Sequence, residues 1–135
     1  MNLLDKNKKQ FSSGSVLLEN ELMSKYSTWR CGGRAKLFFQ PKTKNDVSIF
    51  LKSYSGCDQI TWLGLGSNTL FIDDVVDATI IATSPNLSEF HWSGQDTLYA
   101  ECGVTCSRVA KEAAKKCWGG LEFLAGIPGV LGGAL

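Results

Sequence analysis

The sequence predicts an α+β fold organised round a βαβ unit that ends in a glycine loop. Three observations carry that reading. Ala35–Gln40 is a strand-like run closed by Pro41, and Thr43 with Asp46 three residues on reads as a capping box opening a helix to about Tyr54. Ile60–Leu63 is a short, partly β-branched apolar run that opens into Gly64-Leu65-Gly66-Ser67-Asn68-Thr69. A later helix leads to a second glycine-rich stretch, Leu121–Leu135. Strand, helix and strand with short connections give parallel strands and a right-handed crossover. Glycine loops at the carboxyl ends of such strands are where ligands gather in open sheets.

Composition bounds the possibilities. With 44% hydrophobic and 20% charged residues, the 135-residue chain is ordinary for a globular domain. A net charge of +1 argues against a general nucleic-acid binder. Lys6, Lys8 and Lys9 form the one basic run, in a polar, peripheral segment Met1–Ser15. No apolar run has the length of a membrane span, and Met1–Gln10 lacks the core of a secretion signal. Cys31, Cys57, Cys102, Cys106 and Cys117 contain no C-x-x-C pair and no nearby histidine, so they read as thiols in a reducing cytoplasm rather than metal ligands.

Taken in order, Val16–Met23 carries enough apolar residues to predict a short helix within an N-terminal extension, residues 1–25. Tyr26-Ser27-Thr28-Trp29-Arg30-Cys31-Gly32-Gly33-Arg34 follows. It has two readings: a turn into the next strand, which the double glycine favours, or a loop that lays Arg30 or Arg34 near an anion. Asp73, Asp74 and Asp77 read as solvated turn residues before a strand over Ala78–Ala82. His91 reads as a surface residue, with no nucleophile at a partnering position. Leu98–Cys102 reads as a strand closed by Gly103. Thr105 then caps a helix from Cys106 to about Trp118, with Val109, Ala110, Ala113, Ala114 and Cys117 on its apolar face and Gly119-Gly120 as its stop.

The loop after Leu63 has its own chemistry. Glycines permit close backbone approach, Ser67, Asn68 and Thr69 offer side-chain donors, and successive unpaired N–H groups make an anion site suited to phosphate or pyrophosphate. A P-loop is excluded because no lysine lies between Ile60 and Ile72. A Rossmann loop is excluded because Thr69 stands where the third glycine belongs, strand-like Leu70-Phe71-Ile72 follows, and no acid ends the strand Ala78–Ala82. In the second stretch Pro128 stiffens the chain, while Gly126 and Gly129 let backbone approach something flat or anionic. The chain stops inside this apolar element, which predicts a domain fragment or a shortened reading frame.

Together, Thr28-Trp29-Arg30-Cys31-Gly32-Gly33-Arg34-Ala35, Gly64-Leu65-Gly66-Ser67-Asn68-Thr69-Leu70, Gly103-Val104 and Gly119–Ala134 resemble the bacterial UDP-N-acetylenolpyruvoylglucosamine reductase family, also called UDP-N-acetylmuramate dehydrogenase. The resemblance runs from about Tyr26 to Leu135. It implies an FAD-binding domain of the vanillyl-alcohol-oxidase (PCMH) type over 26–135, with a first subdomain built on the βαβ unit, an incomplete second one and no substrate domain. It also implies that Gly64, Leu65, Gly66, Ser67, Asn68 and Thr69 receive the FAD pyrophosphate through backbone N–H groups. Gly103 and Gly126-Ile127-Pro128-Gly129 would line the flavin, with Gly132, Gly133 and Ala134 beside it. The implied reaction is NADPH-dependent reduction of UDP-N-acetylglucosamine enolpyruvate to UDP-N-acetylmuramate, in the cytoplasm, for peptidoglycan synthesis. The family's catalytic arginine, serine and glutamate fall beyond Leu135, and Arg108, Ser67 and Glu122 are no substitutes. Two rivals are an FAD oxidase of the same fold with a tethered flavin, against which Ser67-Asn68 replaces the expected histidine, and a non-catalytic nucleotide-binding or truncated module.

Overall fold

The computed structural model describes residues 10–56, 59–72 and 74–135. Strands β1 (Val16–Leu22), β2 (Arg34–Gln40), β3 (Gln59–Leu63) and β4 (Val76–Ala82) form one sheet in the order β1-β2-β4-β3. A hairpin of β5 (Phe90–Ser93) and β6 (Thr97–Ala100) makes a second. Helix α1 (Lys44–Ser53) connects β2 to β3, and α2 (Cys106–Lys115) follows the hairpin. A 3₁₀ turn, Glu122–Gly126, and a single helical turn, α3 (Leu131–Ala134), close the described chain.

The expected β2-α1-β3 crossover is present, but β4 lies between its two strands and runs parallel to both. Burial explains the insertion. Ala78, Thr79, Ile80, Ile81 and Ala82 are all buried, a near-continuous run suited to a central strand covered on both faces. By contrast β3 has Gln59 exposed and Trp62 52% exposed, which suits an edge.

The helix expected over Val16–Met23 is instead β1, paired antiparallel with β2 from Val16–Gln40 to Leu22–Arg34. Its apolar residues serve a neighbouring strand: Leu17 joins Phe39, Phe50 and Ile81 in one core cluster, and that tertiary contact outweighs local pattern. The folded sheet therefore begins before residue 26. Part of the segment expected to be peripheral is also tied down, since the Phe11 ring lies 4.9 Å from that of Phe39. Lys6, Lys8 and Lys9 fall outside the described residues.

Alternation with period two divides the sheet between two cores. Phe39 and Ile81 face α1 through Phe50, whereas Phe38 and Ile80 face Met23, Ala35, Leu63 and Phe71. A third cluster, Val104, Cys106, Val109, Ala110 and Leu124, joins α2 to the hairpin and to the second glycine stretch. Thr105 caps α2, accepting from the Arg108 amide at 3.3 Å. The helix stops at Lys115, short of Trp118, because Cys117 takes a left-handed conformation with φ 58°. Ala114 and Cys117, placed by periodicity on the apolar face, are exposed; Cys106 is buried in their stead. The strand expected over Leu98–Cys102 is β6, and its partner β5 contains His91.

Asp46 is the buried polar knot of the first sheet. The expected capping box is present. The same carboxylate also accepts from the Ser12 amide at 2.8 Å and the Ser15 hydroxyl at 3.1 Å, besides the Thr43 amide and hydroxyl. Burial pushes the Asp46 carboxyl up, but the hydrogen bonds from Ser12 and Thr43 outweigh it and hold the group below the usual carboxylate range. A folded-state value below the unfolded one, about 3.9, stabilises the fold above that pH. That contribution is lost as pH falls through the folded value. Asp46→Ala is therefore expected to cost about 1.5–3 kcal/mol in urea unfolding at pH 7, the range for charge-assisted bonds. The gap to wild type should narrow below about pH 4; a gap that stays constant down to pH 3 would contradict this account.

Candidate functional site

The site begins where β3 leaves the sheet. The Leu63 carbonyl accepts from the Thr83 amide at 2.8 Å and from its hydroxyl at 3.2 Å, and the chain then turns through Gly64–Thr69. Gly66 has φ +67°, and a Cβ there would lie 1.8 Å from the Tyr26 carbonyl oxygen, so only glycine fits. Two of the loop's carbonyls face this backing segment: Gly66 O accepts from the Thr28 amide at 3.0 Å, and Thr69 O from the Ser27 hydroxyl at 2.9 Å. Among the described residues, none of the amides of Leu65, Gly66, Ser67 and Asn68 donates a hydrogen bond to the protein. Two carbonyls are thus drawn back while four successive amides stay unpaired, a geometry in which N–H groups can receive an anion.

The second glycine stretch forms the opposite wall. Cys106 N donates to Gly129 O at 3.1 Å and Leu131 N to Val104 O at 2.8 Å, fixing the stretch to the start of α2. Gly129 has φ +145°, and a Cβ there would sit 3.9 Å from Ser67 Oγ; one on Gly64 would meet Val130 Cγ2 at 2.7 Å. The two loops therefore touch. Between them lies a cleft of about 370 Å³ lined by Gly64, Leu65, Gly66, Ser67, Asn68, Thr69, Ile127, Pro128, Gly129, Val130, Gly133 and Ala134. An adjoining hollow shares Gly64 and Leu65 and runs on to Tyr26, Gln40 and Ser84-Pro85.

Three glycines expected at the site stand outside this lining. Gly103 donates its amide to Leu87 O at 2.7 Å, and a Cβ there would lie 2.4 Å from that oxygen, so it is glycine for packing. Gly132 packs against Cys102, where a Cβ would come within 2.8 Å of that residue's own Cβ. Gly126 closes the 3₁₀ turn and is exposed. The second wall is also poorer in free donors than the first. Ile127 donates to Leu124 O, Gly133 donates to Val130 O and Pro128 has no N–H, which leaves the amides of Gly129 and Val130.

Among the described residues no charged side chain lines the cleft. Arg34 donates to Asn20 O at 2.7 Å, and Arg30 is exposed, so the turn reading of that segment describes its geometry. Arg108 lies over the Phe90 ring at 4.7 Å, and Glu122 accepts from the Gly120 amide. His91 stacks on Tyr99 in the hairpin, 3.3 Å from Glu89. Burial pushes the Cys102 thiol up, away from the reactive thiolate. The described residues hold no cluster of three His, Cys, Asp or Glu able to bind a metal, and no helix long and apolar enough to cross a membrane. The cleft offers amides, hydroxyls and close backbone approach, the means to hold an anionic group beside a flat one. Sequence reasoning missed Val130 and the backing segment Tyr26–Thr28. Val130 carried no distinguishing signal, while the Ser-Thr pair before a conformationally special loop was a weak one.

Residues 35–135 match a family described as FAD binding domain. The chain is 42% identical over 123 residues to the UDP-N-acetylenolpyruvoylglucosamine reductase of Methylococcus capsulatus and 39% identical over 123 residues to that of Legionella pneumophila. Each alignment takes in 91% of this chain and 40% of the relative. A solved structure of UDP-N-acetylenolpyruvylglucosamine reductase from Thermus caldophilus superposes with a TM-score of 0.59 at 25% identity, over 89% of this chain and 40% of that one. The chain thus spans about 40% of the length of these relatives.

The two kinds of glycine in the cleft predict opposite results for the fold. Gly66→Ala places a methyl in a left-handed conformation against a backbone carbonyl and should cost at least about 2 kcal/mol in urea unfolding. A Cβ on Gly133 meets nothing within 4 Å, so Gly133→Ala should stay within about 0.5 kcal/mol of wild type or gain slightly. Equal effects from the two substitutions would contradict the loop geometry.

Proposed function

The chain belongs to the FAD binding domain family, and on that footing we propose that it is the FAD-binding portion of a UDP-N-acetylenolpyruvoylglucosamine reductase. The whole enzyme would use NADPH to reduce UDP-N-acetylglucosamine enolpyruvate to UDP-N-acetylmuramate, a cytoplasmic step of peptidoglycan synthesis. The observation that carries the reading is a row of unpaired amides at Leu65–Asn68 facing a glycine wall across one cleft. The names of the relatives support the reductase part of this reading.

The residues present fit FAD. Its diphosphate carries the acceptor oxygens that the amides of Leu65–Asn68 lack, with Ser67, Asn68 and Thr69 adding side-chain donors. Among the described residues no positive side chain lines the cleft, so backbone dipoles would hold the charge, as at other glycine loops. Ile127, Pro128 and Gly129, with Gly133 and Ala134, would flank the same ligand, and Pro128 fixes that wall. At about 370 Å³ the cleft suits a diphosphate with its nearest sugars. The adjoining hollow past Leu65 gives room for the remaining length of a dinucleotide.

When bound, FAD supplies two-electron hydride chemistry that none of these side chains can perform. The role of this chain is then to bind and orient. With Arg108 and Glu122 turned to other partners, Ser67 is the one candidate proton carrier of the three at the cleft, and it has no base beside it. The chain alone is therefore proposed to bind without turnover.

Titration of the purified chain with FAD, followed by calorimetry, is expected to saturate at one FAD per chain. Gly133→Ala, which adds a methyl at a residue lining the cleft, should weaken binding by about tenfold or more. Neither protein should couple NADPH oxidation to the enolpyruvyl substrate. Absence of FAD binding to wild type, or steady turnover by the chain alone, would overturn the proposal.

A further inference from the structure

One hydroxyl holds together the backing of the glycine loop. Ser27 is 6% exposed; it lies outside the cleft lining and borders the adjoining hollow. Its Oγ donates to the Thr69 carbonyl at 2.9 Å and accepts from the Trp29 amide at 3.2 Å. The second bond closes a tight turn over Ser27–Trp29, supported by Arg30 N donating to Ser27 O at 3.0 Å. That turn presents the Thr28 amide to the Gly66 carbonyl. The segment is anchored from below, where the Tyr26 ring packs 4.3 Å from Phe38 and its hydroxyl donates to Glu21 at 3.1 Å.

Planarity of the peptide makes this bracing directional. In a trans peptide the C=O and the following N–H point in opposite directions. Fixing the Gly66 carbonyl against Thr28 therefore turns the Ser67 N–H away from the brace, and Ser67 lines the cleft. Fixing the Thr69 carbonyl against Ser27 sets the direction in which the loop leaves the site. We propose that Ser27 is a positioning residue of the cofactor site: its hydroxyl locks the Tyr26–Thr28 brace to the glycine loop and so aims the loop amides at the ligand's diphosphate. The proposal rests on the FAD reading above and adds to it a residue whose hydroxyl is committed to the loop backbone and its own turn rather than to the diphosphate.

The test compares wild type, Ser27→Ala, Ser27→Thr and Ser53→Ala in the full 135-residue chain. Ser53 also donates to a backbone carbonyl, that of Phe50 at 3.0 Å, but at the end of α1, and serves as the remote control. The FAD dissociation constant of Ser27→Ala should rise about tenfold, the effect of losing a buried hydrogen bond and leaving its partners unpaired. Ser27→Thr, which keeps the hydroxyl, should return to within about twofold of wild type, and Ser53→Ala should match wild type. Hydrogen exchange without FAD provides the second readout. The Thr28 amide should lose protection in Ser27→Ala, while the Tyr26 amide, bonded to Met23 O at 2.9 Å, should keep it. Equal FAD affinity in wild type and Ser27→Ala would overturn the proposal and leave the FAD reading standing. Parallel loss of protection at Thr28 and Tyr26 would overturn it by showing general loosening. Failure of wild type to bind FAD would remove the reading and this proposal together.

Discussion

A peptide loop pinned from behind by two of its carbonyls, with four successive amides left unpaired, must give those amides to something else. That imbalance in Gly64–Thr69 is the constraint on which the site depends. Gly66 O and Thr69 O are held from behind by Thr28 and Ser27, while the amides of Leu65–Asn68 find no acceptor among the described residues. Water satisfies such groups at little cost while the cleft is open. A ligand bearing several acceptor oxygens replaces those waters at once, and a site formed in advance spends little ordering energy on binding.

The rest of the fold keeps that loop in place. β4 fills the centre of the sheet because five of its consecutive residues are buried, which leaves β3 at the edge with its carboxyl end free to open into the loop. Thr83, just past β4, takes the last carbonyl of β3, so the loop starts from a fixed point. α1, capped by Thr43 and knotted through Asp46 to Ser12 and Ser15, covers the face that carries Phe39 and Ile81. On the other side, α2 anchors the second glycine stretch through Cys106 and Val104. The cleft is thus the seam between a four-stranded unit and the cluster round α2.

What could be read from the sequence was local. Capping boxes and caps rest on contacts three residues apart, so α1 and α2 were legible with their starting residues, Thr43 and Thr105. The glycine loop was legible because its spacing and its following residues excluded the better-known phosphate loops. Non-local choices were not. Val16–Leu22 holds a pattern that only its pairing with β2 resolves, and the position of β4 between β2 and β3 depends on competition for burial across the whole sheet. Gly103 and Gly132 illustrate the same limit from the site's side. Each is a glycine required by close packing, against Leu87 and Cys102, and sequence cannot distinguish that requirement from approach to a ligand. Similarly, Tyr26–Thr28 gained meaning only once folded behind a loop some forty residues away in sequence.

The central claim is that one ligand's diphosphate meets the unpaired amides of the first loop while its remainder lies against the second. Amide resonance perturbation in the ¹⁵N-labelled chain on adding FAD measures this directly. The account predicts that the largest shifts fall together on Leu65–Asn68 and Gly129, at one shared affinity, with the β5–β6 hairpin unmoved. Shifts centred on the hairpin or on α1, with the loop amides unchanged at saturation, would contradict it.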